Sequence, residues 1–465
     1  MMKIVKRDGR TVDYDSDKIR IAIGKANNEV LESDRIESKD IENIIGFIES
    51  MGKKRMLVED IQDIIEEKLM EKKKFHLAKV YIIYRYRRSI IRQSNTIDAS
   101  ILSLLKNGNQ SGGVYLDANR QRDVMAGEVS KDLAYRLLLP RNVVEAEKDG
   151  RIKFCNVEYF TEPVIESLKV NLRDMLQNGT VINGIKIDPP KSFQSACNVL
   201  VEIIASIAST QTGSIYIDIS DLFPYYNLSF ERSYSLFLTL MRNVLNEDQI
   251  RAMAHTQTFA EIRTGIQTIL YQINTITIGS GLVPKVHFLV DVREISSMEE
   301  EKIVCEFIKQ KVEGLKDKDG QLLVTPYPKI VYAILENESL AKKYSYITDQ
   351  LLSSNSMFSL LSEKRYDSYV KEIERFNQGS VAINLAKIAL ESSENEADFF
   401  EMLITNLSYC YEALLCRNHN LQGIYSGKSP IHWQHGAIAR LDSSMRIDNY
   451  LKRDHSIMKL AICGF

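Results

Sequence analysis

The sequence predicts an α/β protein in two unequal parts: a small hairpin-plus-helices module, then an α/β barrel or sheet. Three observations predict it. An alternating segment around Asp8-Gly9 is followed by apolar stripes at helical spacing. A polar stretch over residues 93–118 then breaks the pattern. Beyond it, strand-like and helix-like segments alternate along the chain.

The first module spans residues 1–92. KIVKRDGRTVDY (3–14) alternates around a turn, the signature of a hairpin. Ser16 is placed to cap a helix on which Ile19, Ala22, Ile23, Ala26 and Val30 recur at helical spacing. Ile61, Ile64, Ile65 and Leu69 form a second stripe, and Leu77, Val80, Tyr81 and Tyr84 a third. Lys6, Arg7, Lys18 and Lys25 gather four cations around one hairpin and one helix, with Lys18 and Lys25 two turns apart on one face. Such a set either grips a polyphosphate or forms a solvated basic face.

Residues 93–118, with Gly108, Gly112 and Gly113, read as a linker. The second domain, 119–465, opens with a helix whose buried face is marked by Leu133, Leu137 and Leu138 and which Pro140 stops. IKFCNVEYF reads as a strand that buries Cys155. In the block Asn171–Asn198 a short helix ends at Asn178-Gly179, and Val181-Ile182 and Asn183-Gly184 make a strand and a turn. Ser192 then caps a long apolar helix. Cys197 falls in its first turn, where the helix dipole favours a thiolate. IYIDISDL and KVHFLVDV read as strands. Helices are expected over 231–245, around Ile262–Ile273 and over 299–313, and a strand in QLLVTPYPKIVYAI beyond the turn at Asp319-Gly320.

A net charge of −2 leaves no field to attract nucleic acid or an acidic membrane. No stretch reaches the roughly 20 apolar residues of a membrane span, and the charged N-terminus is no signal peptide, so a cytoplasmic protein is expected. The six cysteines (155, 197, 305, 410, 416, 463) form no Cys-x-x-Cys pair, which argues against a zinc ribbon or disulfide framework. His432 and His435 lie three apart without a carboxylate or thiol neighbour, so packing is expected there and no metal.

Several segments also resemble known families. VKRDGRTVDYDSDKIRIAIGKA and VEDIQDIIEEKLMEKKKFHLAKVYIIYRYRR resemble the two halves of the ATP-cone, a regulatory nucleotide-binding module. The resemblance implies ATP or dATP as effector, held by Val5, Lys6, Arg7, Lys18 and Lys25. DMLQNGTVINGIKIDPPKSFQSAC, Arg375-Phe376-Asn377-Gln378-Gly379, EALLCRNHNLQG and SPIHWQHGAIARL resemble anaerobic ribonucleoside-triphosphate reductases, the glycyl-radical enzymes that make deoxynucleotides without oxygen. This implies an incomplete version of a ten-stranded-type α/β barrel, and partners that are nucleotides, a second copy or another reductase-family chain. It also implies that Cys197 helps reduce ribose; its other reading is a small apolar packing residue.

The chain departs from that pattern where chemistry is concentrated. Lys153, Cys155 and Asn156 stand where the family tends to have His, His and Asp, and Gly279-Ser280-Gly281-Leu282 replaces a Thr-Asn-Gly-Gln turn. The loop carrying the family's radical cysteine precedes the Arg-Phe-Asn-Gln-Gly motif, yet no cysteine lies between Cys305 and Cys410. SIMKLAICGF stops ahead of the family's zinc-binding cysteines and radical glycine. The expectation is a nucleotide-binding homologue that does not reduce ribose alone. The alternatives are an active subunit completed in trans and a decayed reductase.

Overall fold

A computed structural model describes residues 3–5, 11–53, 55–85, 118–278, 282–323, 325–354, 356–392 and 395–464. The chain divides into units 1–103 and 104–465, each with its own apolar core. The hairpin turn with Lys6 and Arg7, the linker up to residue 117, and Gly279–Gly281 lie outside the described residues.

In the first unit β1 (Lys3–Val5) and β2 (Thr11–Asp13) form the expected antiparallel hairpin. Helix α1 (Ser16–Asn28) is capped by Asp15, whose side chain accepts from Asp17 N, and not by Ser16. Asp15 has the extended backbone a cap requires, whereas Ser16 is already helical. Helix α2 (Ser38–Ser50) and strand β3 (Arg55–Leu57), parallel to β1, were not expected. α3 (Val58–Glu71) and α4 (75–85) carry the second and third stripes. Ile23, Ile44, Ile48, Ile65, Leu69 and Leu77 are fully buried between them.

The second unit begins with α5 (Ala118–Leu133), which runs into a π-helical turn over Ala134–Leu138 before Pro140 stops it. That turn changes the facing residues. Ala134 and Leu139 are buried, while Leu137 and Leu138 are exposed, so the expected buried face is corrected. There follow α6 (Arg141–Lys148), β4 (Ile152–Phe154), β5 (Leu168–Lys169) and α7 (Leu172–Gln177). Cys155 lies just past β4 and is only half-buried. The hairpin β6 (Thr180–Ile182) and β7 (Ile185–Ile187) turns on Asn183 and Gly184, both at positive φ (50° and 80°). Next come α8 (Phe193–Ala208), β8 (Ile215–Asp218), α9 (Pro224–Met241), the 29-residue α10 (Glu247–Thr275), β9 (Val286–Val290) and α11 (Met298–Glu313).

The expected strand beyond α11 is divided. β10 (Leu315–Lys316) and β11 (Leu322–Leu323) form a small hairpin, and β12 (Lys329–Ile334) is separate. Then come α12 (Glu338–Lys343), α13 (Ser345–Leu352), β13 (Phe358–Ser362), α14 (Glu363–Ile373), β14 (Phe376–Asn384), α15 (Leu385–Glu391), α16 (Glu396–Leu421), α17 (Pro430–Trp433) and β15 (Ser456–Cys463).

Five strands form an all-parallel sheet in the order β13-β12-β9-β8-β5. The spatial order follows the chain order, so every crossover adds on the same side and the connecting helices collect on one face, as in a barrel. Side-chain alternation separates the two faces. Ile215, Ile217, Phe288, Ile330 and Tyr332 pack with α8, α10 and α11. Tyr216, Leu289, Val331 and Ala333 pack instead with Tyr366, Tyr369, Val370 and Ile373 of α14. The second sheet, β15-β14-β4, meets the first at an antiparallel bridge between Ser167 and Asn377.

Candidate functional site

A cavity of about 500 Å³ opens where the two sheets meet. It lies at the carboxyl ends of β5 and β8, where parallel α/β sheets collect ligands because the loops there diverge. Leu168, Lys169, Val170, Asn171 and Arg173 line it from the β5–α7 turn, and Asp218, Ser220 and Asp221 from the turn after β8. Glu294 follows β9, Glu374 follows α14, and Phe376 opens β14. Tyr450, Asp454 and His455 come from the segment before β15, and Ala437 and Ile438 from the loop after α17. Among the described residues no cysteine lines it.

The lining is charged and internally paired. Lys169 Nζ stands 3.7 Å from Asp218 Oδ2, and Arg173 Nε donates to Asp221 Oδ1 at 3.1 Å. Asp218 also accepts from the Ser220 amide and hydroxyl at 3.1 and 2.8 Å. Burial, with the Asp218 charge behind it, pushes the Asp221 carboxyl up from 3.8 to about 6, against the pull of Arg173. Burial also raises Glu294. His455 packs against the Tyr450 ring at 5.1 Å between centroids.

The motif Arg375–Gly379 frames one wall by closing hydrogen bonds that would otherwise be orphaned. Buried Gln378 donates to Leu451 O at 3.1 Å and to Ser456 Oγ at 2.7 Å, tying β14 to the segment carrying Tyr450 and His455. Arg417 of α16 is 5% exposed and donates to the carbonyls of Phe160, Glu162, Val164 and Gln378. An added Cβ at Gly379 would meet Arg417 Cγ at 3.1 Å, so glycine leaves room for that guanidinium to pass. Phe376 stacks edge-on against Trp433 at 5.4 Å. These are positioning contacts for the cavity wall.

Cys197 is elsewhere. Helix α8 is capped by Ser192 in a capping box with Ser195, and Cys197 falls in its second turn with 0% exposure. The expected thiolate is corrected: burial and then Glu261 push the thiol far up. The positive helix end is already occupied, because Glu261 accepts from Gln194 N at 3.1 Å, Ser229 Oγ at 2.9 Å and Arg232 at 2.7 Å. Cys197 packs against Phe193 and Gly265, and its Sγ sits 2.9 Å from where a Gly265 Cβ would be.

Of the cations expected to hold a nucleotide, Lys18 and Lys25 are exposed on α1, and Lys18 lies 3.5 Å from Asp15. Val5 ends β1, while Lys6 and Arg7 are outside the described residues. His432 is buried and hydrogen-bonded to Ser429 at 2.5 Å, and burial holds it down at about 3. Among the described residues no group of three or more His, Cys, Asp or Glu could hold a metal, and no helix is long and apolar enough to cross a membrane. The cavity residues were missed in the sequence. For Asp218 the signal was present in IYID, where an aspartate closes a strand at its carboxyl end.

Fold and site together define a two-part protein: a hairpin-and-helix module and an α/β domain wound in the barrel sense around an opening at its strand ends. Comparison with known proteins makes the assignment specific. The family model for anaerobic ribonucleoside-triphosphate reductase matches residues 113–464, and that for the ATP cone domain matches residues 2–90. The chain therefore belongs to the anaerobic ribonucleoside-triphosphate reductase family and carries an ATP-cone. It is 28% identical to the anaerobic ribonucleoside-triphosphate reductase of Haemophilus influenzae and 27% to that of Escherichia coli, over 99% of this chain and 69% of each relative. The phage T4 enzyme is 28% identical over 78% of this chain and 64% of its own length. The fold matches the anaerobic ribonucleotide reductase from Thermotoga maritima in complex with dATP and CTP, with a TM-score of 0.52 at 12% identity. That match covers 80% of this chain and 67% of the other.

Proposed function

We propose that this chain binds ATP or dATP through its cone and does not by itself reduce ribonucleotides, acting as a regulatory or non-catalytic member of the family. The observation that carries the reading is that, among the described residues, no thiol lines the cavity at the strand ends. A thiyl mechanism needs sulfur in contact with the ribose. Cys197 is sealed in the core of α8 and α10, and no cysteine lies between Cys305 and Cys410. In the described part of that interval α14 lies on the sheet face opposite α8 and α10.

In this proposal the backbone of Val5 and the side chains of Lys6, Arg7, Lys18 and Lys25 hold the polyphosphate. Exposed Lys18 and Lys25 on one face of α1 support it. The proposal places the protein in the cytoplasm, where its nucleotide ligands are, and pairing with a second copy or another reductase-family chain belongs to the same reading. Titration calorimetry on the full chain tests it. The expected result is saturable ATP or dATP binding that weakens by roughly tenfold in Lys18→Ala/Lys25→Ala, about 1.4 kcal/mol. Absence of binding by either nucleotide would refute it.

A further inference from the structure

Helix α14 lies on the face of the five-stranded sheet opposite α8, α10 and α11, and its attachment there is thin. Of its eleven residues only Tyr366 and Ile373 are buried, whereas α8 buries nine of sixteen. Tyr366 and Ile373 belong to a small cluster with Tyr216, Leu289, Val331 and Ala333 that is separate from the main core. A helix that buries few side chains undocks locally at less cost than unfolding the whole domain.

Both ends of α14 are fixed by charge. Arg293, after β9, donates to Glu363 at 3.0 Å and to Asp367 at 2.6 Å, and Glu363 also accepts from Glu336 N at 3.1 Å. Near the other end Glu372 pairs with Lys459 of β15 at 2.6 Å. These side chains are partly exposed, so dissolved salt screens the pairs. Rings hold the middle of the helix and ion pairs hold its ends.

The surface beneath is aromatic. Tyr216 and His287 lie on the covered face with ring centroids 4.9 Å apart, and Tyr369 of α14 meets Tyr216 edge-on at 5.9 Å. His287 Nδ1 is buried without a hydrogen-bond partner, and burial, then Lys329, holds the ring down at about 4. The cavity adjoins this face. Asp218 and Glu294 line the cavity, and their charges, with that of Asp291, add to burial in raising the Tyr366 hydroxyl. Neutral rings and an unsatisfied ring nitrogen suit the flat, hydrogen-bonding base of a nucleotide.

We propose that α14 is a strap over this sheet face, closed by its ionic ends, and that its local release admits a nucleotide to the aromatic surface beneath. The inference deepens the non-catalytic reading and rests on it only in treating the covered face as closed to substrate. Cone binding of ATP or dATP is independent of it.

Hydrogen exchange of the full chain in saturating ATP tests the strap, with CTP as the probe nucleotide. Residues 363–373 should exchange roughly tenfold or more faster than β8 and β9, and faster still in added salt. Arg293→Gln should speed exchange in α14 by roughly tenfold more and leave β8 and β9 unchanged. CTP affinity should then rise by a similar factor, because only the open form binds it. Loss of a positive charge by itself would weaken CTP binding, so the direction of the change separates release from electrostatics. If Arg293→Gln unfolds, Lys459→Gln cuts the other end and should act in the same direction. Exchange of α14 only together with the strands would overturn the proposal. So would variants that loosen α14 and leave CTP binding unchanged or absent. Absence of ATP binding by the cone with these results intact would refute the effector reading and leave the strap standing.

Discussion

At Cys197 the question is what a single sulfur does when it is sealed among Phe193, Gly265 and the apolar face of α8. A buried thiol acts as a small hydrophobe, so Cys197→Ser places an unpaired hydroxyl in the core and should cost about 1–3 kcal/mol in a urea melt. Nucleotide binding should not change; a loss of binding without a loss of stability would give Cys197 the chemical role this account denies it. Asp221 offers a pH test. Its carboxyl is raised from 3.8 to about 6 by burial and Asp218. Between about pH 4 and 6 the folded chain therefore keeps a proton that the unfolded chain has lost, and stability falls as pH rises through that window. Asp221→Asn should flatten that slope by up to about 3 kcal/mol, read from urea melts at pH 4 and pH 7. An unchanged slope would mean that Asp221 ionises freely.

Among elements, α14 decides most. Tyr366 is 3% exposed and Ile373 4%, and both press on the sheet face opposite α8 and α10. Arg293 after β9 anchors the helix from above, donating to Glu363 at 3.0 Å and to Asp367 at 2.6 Å. Tyr366→Ala should cost about 3–5 kcal/mol, the range for truncating a large buried aromatic. A change below about 1 kcal/mol would mean that α14 is not docked on the sheet. At β14 the buried Arg417 spans four carbonyls, so Arg417→Met should cost about 3 kcal/mol or more in the same assay by stranding them. This level was partly legible in the sequence. Helix stripes such as Ile61–Leu69 and turns such as Asn183-Gly184 were read from local periodicity and backbone preference, and both are present. The π turn at Ala134–Leu138 was not, because its register depends on what it packs against. Nor was β3, whose three residues form a strand only because β1 lies beside them.

For the whole molecule, the sequence carried the family signals and the absence of a cysteine between Cys305 and Cys410, the interval that holds Arg375-Phe376-Asn377-Gln378-Gly379, both of which are local. It did not carry the cavity, because that space is assembled from segments up to about 290 residues apart, from Leu168 to His455. Assembly also reversed the reading of Cys197: helical position alone suggested an activated thiol, while Glu261 from α10 had already taken the helix end. The account's central claim is that nucleotide binding persists without ribose reduction. The most direct measurement incubates the purified full chain under anaerobic conditions with a reductant, a radical-activating enzyme and each ribonucleoside triphosphate, and follows ATP binding and deoxynucleotide formation in one sample. The account predicts bound ATP or dATP and no deoxynucleotide product. Turnover to deoxynucleotide by this chain would contradict it.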